Sequence, residues 1–177
     1  MRPQRLGLRL SLMLLLSLAW LILGSAPAQA GEIASRVKPA QYQGAATRGA
    51  LDLVIRSDEG APTPPGELLL NDPAGRMSGA DAAGRRYREI PDSSYRREEG
   101  SYHLHVGNAA SGRYTLRVIG LQGGRYTIYM TAYDQTGARA DVKFSRLMEP
   151  GVMHIFAIDY SNLAGAKIKA RQIHRVQ

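Results

Sequence analysis

Two histidines at i and i+2, in the segment Tyr102-His-Leu-His-Val106, are the residues best spaced for chemistry. In an extended strand such a pair projects from one face, so His103 and His105 could both reach a divalent metal. A third ligand has to come from elsewhere in the chain, with His154 or a loop carboxylate as candidates. The same spacing also suits two solvent-facing polar residues on a half-exposed strand, and both readings stay open. Asp72 and Asp81, with Asn71 beside the first, lie in glycine-rich turns of the kind where oxygen ligands for Ca²⁺ collect. There is no Asp-x-Asp-x-Asp spacing, and turn formation by itself accounts for these residues.

Several chemistries are excluded or lack a signature. The chain contains no cysteine, which rules out thiol catalysis, thiolate metal sites and disulfides. It has no Gly-x-Ser-x-Gly elbow: Gly75-Arg-Met-Ser-Gly79 carries its serine one place out of that pattern, in a segment read as loop. Ser93 and Ser94 follow Pro91-Asp92 in an expected turn. Asp58-Glu59 and Glu98-Glu99 are neighbours in sequence, which favours solvated charges over carboxyls converging across a cleft. No phosphate loop or dinucleotide fingerprint occurs. A non-catalytic protein without cofactor is the expectation. The alternatives are a carbohydrate-binding module and a small metal-dependent hydrolase using the His103/His105 face.

Contact residues are the remaining candidates. Tyr129 and Tyr133, if exposed beside Arg117 and Arg125, could stack on sugars or bases. Carbohydrate platforms more often use tryptophan, and the single tryptophan of the chain lies in its first thirty residues. Lys167, Lys169 and Arg171 form a basic row able to touch an anionic polymer or an acidic protein. The same row equally suits a solvated edge strand.

The elements that must position these residues are strands. Leu51, Leu53 and Ile55 alternate with polar neighbours, and Glu67 to Leu70 is a second apolar run. Tyr102, Leu104 and Val106 share one face, with the two histidines on the other. Gly-Arg-Tyr-Thr is written twice, at residues 112–115 and 124–127. Tyr114, Leu116 and Val118 make one apolar face, and Tyr126, Ile128 and Met130 make another. The glycine-rich stretch between them predicts an antiparallel hairpin with Val118 opposite Tyr126 and Leu116 opposite Ile128. Val142 and Phe144 should point inward from the next strand. Residues 152–160 are apolar on both parities and predict a central strand covered on two sides. The basic tail after residue 166 suits a last edge strand. No stretch after residue 30 keeps a 3.6-residue apolar period. Seven or so strands between residues 51 and 170 predict a single antiparallel β-sandwich, immunoglobulin-like or jelly-roll-like.

The first thirty residues read as a cleaved signal peptide. Arg2, Arg5 and Arg9 precede an apolar run over residues 10–23, and Ala28-Gln-Ala30 is a small-x-small cleavage site. That run is short of the roughly 20 residues a membrane-spanning helix needs. Membrane contact is therefore expected only through this segment before cleavage. Residues 31–50 read as a flexible leader, and residues 51–177 as the domain. The formal net charge is +8, of which the three arginines of the signal segment supply three. The remaining +5 is mildly basic and favours anionic polymers weakly. A periplasmic or secreted location is expected, with no specific nucleic-acid partner.

The segment "GRYTLRVIGLQGGRYTIYMTAYDQTGARADVKFSRLMEPGVMHIFAIDYS" resembles β-sandwich modules of secreted bacterial proteins, of immunoglobulin-like or pre-peptidase C-terminal-like type. The likeness rests on the two Gly-x-Tyr-Thr strands, the Ala-Tyr-Asp-x-x-Gly turn and the Pro-Gly-x-x-His strand. Upstream, "NDPAGRMSGADAAGRRYREIPDSSY" is similar to a turn-rich stretch of such proteins. What the resemblance implies is an extracellular β-sandwich, with no active-site residues carried over. The export signal, the strand pattern and the lack of a catalytic signature add the expectation of a module that binds another envelope or extracellular protein or a polymer.

Overall fold

Alternation of apolar and polar residues along short runs leaves each strand one face to bury, and two sheets facing each other satisfy all of them. The computed structural model describes residues 48–58, 60–165 and 168–177, and no helix occurs among them. The expected signal segment and most of the leader lie outside the described residues.

Eleven strands are present among the described residues. They are β1 (Ala50–Ser57), β2 (Gly66–Asn71), β3 (Met77–Ala80), β4 (Arg86–Arg88), β5 (Ser93–Glu98) and β6 (Ser101–Val106). There follow β7 (Gly112–Gly120), β8 (Gly124–Tyr133), β9 (Arg139–Met148), β10 (Met153–Tyr160) and β11 (Lys169–Val176). Five form a sheet in the order β5-β6-β1-β8-β9, and six form a second in the order β11-β10-β7-β2-β3-β4. Every pairing is antiparallel. The fold is an all-β antiparallel sandwich, as the periodicity predicts.

The core lies between the sheets. Leu51, Leu53 and Ile55 of β1 and Tyr126, Ile128 and Met130 of β8 fill it from the five-stranded sheet. Leu68, Leu70, Leu116, Val118, Phe156 and Ile158 meet them from the six-stranded one. Each such side chain contributes about 1.5–3 kcal/mol relative to exposure, which is how a chain without disulfides holds two sheets together.

The predicted Gly-Arg-Tyr-Thr hairpin does not form. Strand β7 pairs with β10 and β2, while β8 pairs with β1 and β9, so the two copies belong to different sheets. Val118 therefore sits beside His154 and Leu68, and Tyr126 beside Ser57 and Arg146. The chain changes sheet at residues 121–123. Gly120 donates to Val152 O, and Leu121 and Gln122 donate to Pro65 O, so the connection is tied to two other loops instead of folding back on β7. Both apolar faces still point inward, because burial constrains the face of a strand and not its partner.

Three other expectations change. Residues 77–80, read as loop, form β3, and Ser93, read as turn, opens β5. Ser78 and Ser93 are buried, and Ser78 Oγ donates to Ser93 Oγ at 2.9 Å while Ser93 Oγ donates to Ile90 O at 2.6 Å. Polar strand residues are admitted there because each hydroxyl is satisfied. Strand β10 is flanked by β7 and β11 but covered on one face: Phe156 and Ile158 are buried, while Met153 and Ile155 on the other side are half-exposed. Strand β11 is an edge strand, with Lys169 and Arg171 exposed.

Candidate functional site

The outer face of the five-stranded sheet collects most of the chemistry-bearing residues. Strand pairing lines them up in rows across β5-β6-β1-β8-β9. One row reads Ser94, His105, Asp52, Thr131, Asp141, and the next reads Arg96, His103, Val54, Tyr129, Lys143. A third reads Glu98, Ser101, Arg56, Thr127, Ser145. These residues face outward because their neighbours Leu53, Leu104, Ile128 and Met130 occupy the core.

Polar links cross the face between neighbouring strands. His103 Nε2 lies 2.9 Å from Ser101 Oγ and 3.4 Å from Glu98 Oε2. The Nδ1–H of His105 donates to Asp52 Oδ1 at 2.5 Å. The Arg56 guanidinium stands over the Tyr129 ring, 5.9 Å from its centroid, within the range of a cation–π contact. Thr131 Oγ1 donates to Asp141 Oδ1 at 2.7 Å, where Arg139 Nε also donates at 2.9 Å, and Thr127 and Ser145 share a hydroxyl bond of 2.7 Å. Tyr129 remains 41 % exposed on this surface, one strand in from the β9 edge. Burial holds the His103 imidazole below its ordinary range, against the pull of Glu98, so the ring is neutral at pH 7.

His103 and His105 do share this face, but each is held by its own carboxylate. No group of three or more histidines or carboxylates able to hold a metal occurs among the described residues. His154, the suggested third ligand, belongs to the other sheet and points into the core. It shares a 2.7 Å hydrogen bond with the Tyr126 hydroxyl, and the two rings stack with centroids 5.9 Å apart. Burial lowers the basicity of His154, with Arg175 and Arg146 acting in the same direction.

The contact candidates divide between the sheets. Tyr129, Tyr133 and Arg125 lie on β8 and face outward from the five-stranded sheet. Arg117 lies on β7 of the other sheet, where its Nη1 donates to Asn71 Oδ1 at 2.9 Å. The cation that reaches Tyr129 is Arg56. Lys169 and Arg171 stand on the edge strand β11, away from the tyrosines, and Lys167 lies outside the described residues.

The turn carboxylates have a backbone task. Asp72, Asp81 and Asp134 each open an Asp-x-x-Gly-x loop built the same way. In all three the Oδ1 atom accepts from the backbone N–H two residues on, at 2.9, 3.0 and 2.8 Å, and from the N–H four residues on, at 2.9 Å each. The glycines, Gly75, Gly84 and Gly137, have φ of 83°, 78° and 86°, a left-handed conformation that a Cβ opposes. Asp134 Oδ2 also accepts from Gly165 N at 2.7 Å, tying the β8–β9 turn to the loop after β10. The hydroxyl of Thr136 and the N–H of Gly165 hold its pKa down at about 2. Beside it lies an open cleft of about 370 Å³ lined by Asp134, Arg139, Asp141, Gly165 and Ile168.

Sequence reasoning missed two partnerships. Asp52 is the partner of His105, although 53 positions separate them. Glu67, only 2 % exposed, accepts from the Tyr95 hydroxyl and pairs with Arg97 Nη2 at 2.5 Å, joining β2 to β5 across the sheets. Burial first, and Glu67 second, push the Tyr95 phenol well above its ordinary pKa. A glutamate inside an apolar run is the one local signal for the second, since a charge there must find a partner. No local signal exists for the first.

No helix among the described residues is long and apolar enough to cross a membrane. Comparison with protein families, with curated proteins and with solved structures finds no match for this chain.

Proposed function

We propose that the protein is an exported, non-catalytic binding module of the immunoglobulin-like or pre-peptidase C-terminal-like kind, and that the outer face of the five-stranded sheet is its contact surface. The observation that carries this is Tyr129, an exposed ring on the sheet face one strand in from the β9 edge, capped by Arg56 and followed in its row by Lys143. A face cross-linked by hydrogen bonds between its strands loses little freedom on binding, so contacts made there are not spent on ordering it. The ligand that fits is an anionic envelope or extracellular polymer, held by Arg56, Lys143 and Arg125 with Tyr129 as the apolar platform. A protein partner with an acidic, extended surface would use the same groups.

Carbohydrate recognition is a second reading, favoured by the same exposed ring, since a phenol can stack on a sugar face. Titration of the purified protein with polygalacturonate, alongside a neutral glycan array, separates the two. Binding of the polyanion that weakens with salt and is lost in Tyr129→Ala and Lys143→Ala supports the first. Neutral glycan binding lost only in Tyr129→Ala supports the second. Undiminished binding by Tyr129→Ala would remove this face from consideration.

A further inference from the structure

The two long edge strands on one flank of the sandwich are treated differently by the sequence. Strand β9 ends the five-stranded sheet and β11 ends the six-stranded one. Arg146 Nε of β9 donates to Gln172 Oε1 of β11 at 2.7 Å, so both edges lie on the same side. Strand β11 carries the usual safeguards against edge pairing. A register shift opposite Ile155 and Phe156 leaves Ile173 as an extra residue, and Lys169, Arg171 and Arg175 line the strand. Strand β9 keeps an unbroken register with β8 over its whole length, from Met148 opposite Gly124 to Arg139 opposite Tyr133. Among the described residues nothing pairs with its outer edge.

The sequence of β9 is self-complementary in the antiparallel register centred on Val142, which pairs residues 139–145. A centre on Ala140 also sets opposite charges together, Arg139 against Asp141, but overlaps only three residues of the strand. Its outward residues are Arg139, Asp141, Lys143 and Ser145, and its inward ones Ala140, Val142 and Phe144. Centring a twofold axis on Val142 places Asp141 opposite Lys143 of a second copy, and Lys143 opposite its Asp141. Inside, Val142 then meets Val142, and Ala140 meets Phe144. Moving the centre by one residue either way sets Lys143 against Lys143 or Asp141 against Asp141, and like charges directly opposite oppose pairing. Asp141 already holds Arg139 and Thr131, and its side chain remains exposed.

We propose that β9 is a homodimer interface, at which two copies of this chain join their five-stranded sheets edge to edge in the Val142-centred register. Residues 139–145 of one copy run against residues 145–139 of the other, with backbone hydrogen bonds supplying affinity and the Asp141–Lys143 pairs supplying register. The row through Tyr129 and Lys143 then continues into Asp141 and Thr131 of the partner subunit. The outer faces become one surface bearing two exposed tyrosines, whatever that surface binds.

Sedimentation of the purified chain over a concentration series tests this. A reversible monomer–dimer equilibrium is expected. Asp141→Lys and Lys143→Asp each turn both cross-subunit pairs into like charges and should weaken the dimer by about tenfold or more. The double variant Asp141→Lys/Lys143→Asp restores opposite charges and should return most of the affinity. Because the chain has no cysteine, Val142→Cys supplies a second readout. Its copies meet at the axis and should form a disulfide-linked dimer with copper–phenanthroline, whereas Ser145→Cys should not. A chain that stays monomeric at all concentrations overturns the proposal. So does a dimer indifferent to the single charge changes, not rescued by the double one, or cross-linked equally well at both positions.

Discussion

Tyr126 of β8 and His154 of β10 meet inside the core, hydroxyl oxygen to Nδ1 at 2.7 Å, and form a polar bond between the two sheets. Both residues are buried, and no buried side-chain nitrogen or oxygen among the described residues lacks a partner. Removing one member strands the other. Tyr126→Phe keeps the ring and the packing but leaves an imidazole nitrogen unpaired, at a cost of about 1–3 kcal/mol. Thermal unfolding should show a midpoint lower by roughly 3–10 °C. The double variant Tyr126→Phe/His154→Phe should cost less than the two single changes added together.

The same histidine makes stability fall in mild acid. Burial lowers its folded-state pKa below the ordinary value of 6.5. The unfolded chain therefore binds the proton first as pH drops. Stability from the neutral ring is complete above about 6.5 and is lost as pH falls from there through the depressed folded pKa. His103 is lowered for the same reason and adds to the slope. Unfolding midpoints between pH 8 and 5 should decline in the native chain and decline less in His154→Gln. Equal slopes would dissociate the effect from His154.

Asp134 anchors two loops through a carboxylate whose pKa is held at about 2. Its contribution is present above the ordinary carboxylate value of 3.8 and is lost as pH falls through about 2. Asp134→Ala should speed hydrogen exchange at the amides of Thr136, Ala138 and Gly165, all of which donate to this side chain. Asp134→Asn, which keeps one acceptor oxygen, should do so less. Unchanged exchange at Gly165 in the alanine variant would show the tie to be dispensable.

Gly120 permits the chain to change sheets. A Cβ built there would stand 2.4 Å from Glu149 O, 2.7 Å from Met148 Sδ and 2.8 Å from Val152 O. Two of these are backbone atoms that cannot swing away. Gly120→Ala should therefore cost about 1–3 kcal/mol or more by overpacking. Denaturant unfolding measures it, and a change below about 0.5 kcal/mol would show that the β7–β8 connection yields freely.

Tyr129 should separate binding from folding. Its ring is exposed, so Tyr129→Ala should move the unfolding midpoint by only a few degrees while abolishing polyanion or glycan binding. Loss of stability on the scale of the Tyr126 variant would make it a packing residue instead.

Much of this architecture is legible in the residues. Tyr102, Leu104 and Val106 announce the inward face of β6, and with it the outward placing of His103 and His105. What they cannot announce is company. Asp52 reaches His105 only because β1 lies between β6 and β8, and Arg117 leaves the tyrosines because β7 belongs to the other sheet. Strands β3 and β5 escaped notice because Met77-Ser-Gly-Ala80 and Ser93-Ser94 lack apolar alternation. Their hydroxyls are accepted into the sandwich by bonds to each other and to Ile90, which arise only once the flank has closed.

By itself the amino-acid sequence determined that the chain folds as strands, which face of each alternating strand is buried, and where most of the turns fall. A two-residue period sorts side chains by polarity, and glycine and aspartate shape turns, through interactions a few residues long. The tertiary structure alone decided which strands are neighbours, that the repeated Gly-Arg-Tyr-Thr runs sit in opposite sheets, and which charges share a surface. Strand pairing is set by backbone bonds and close packing between residues far apart in the chain, and any strand with one apolar face can satisfy its own periodicity beside several different partners.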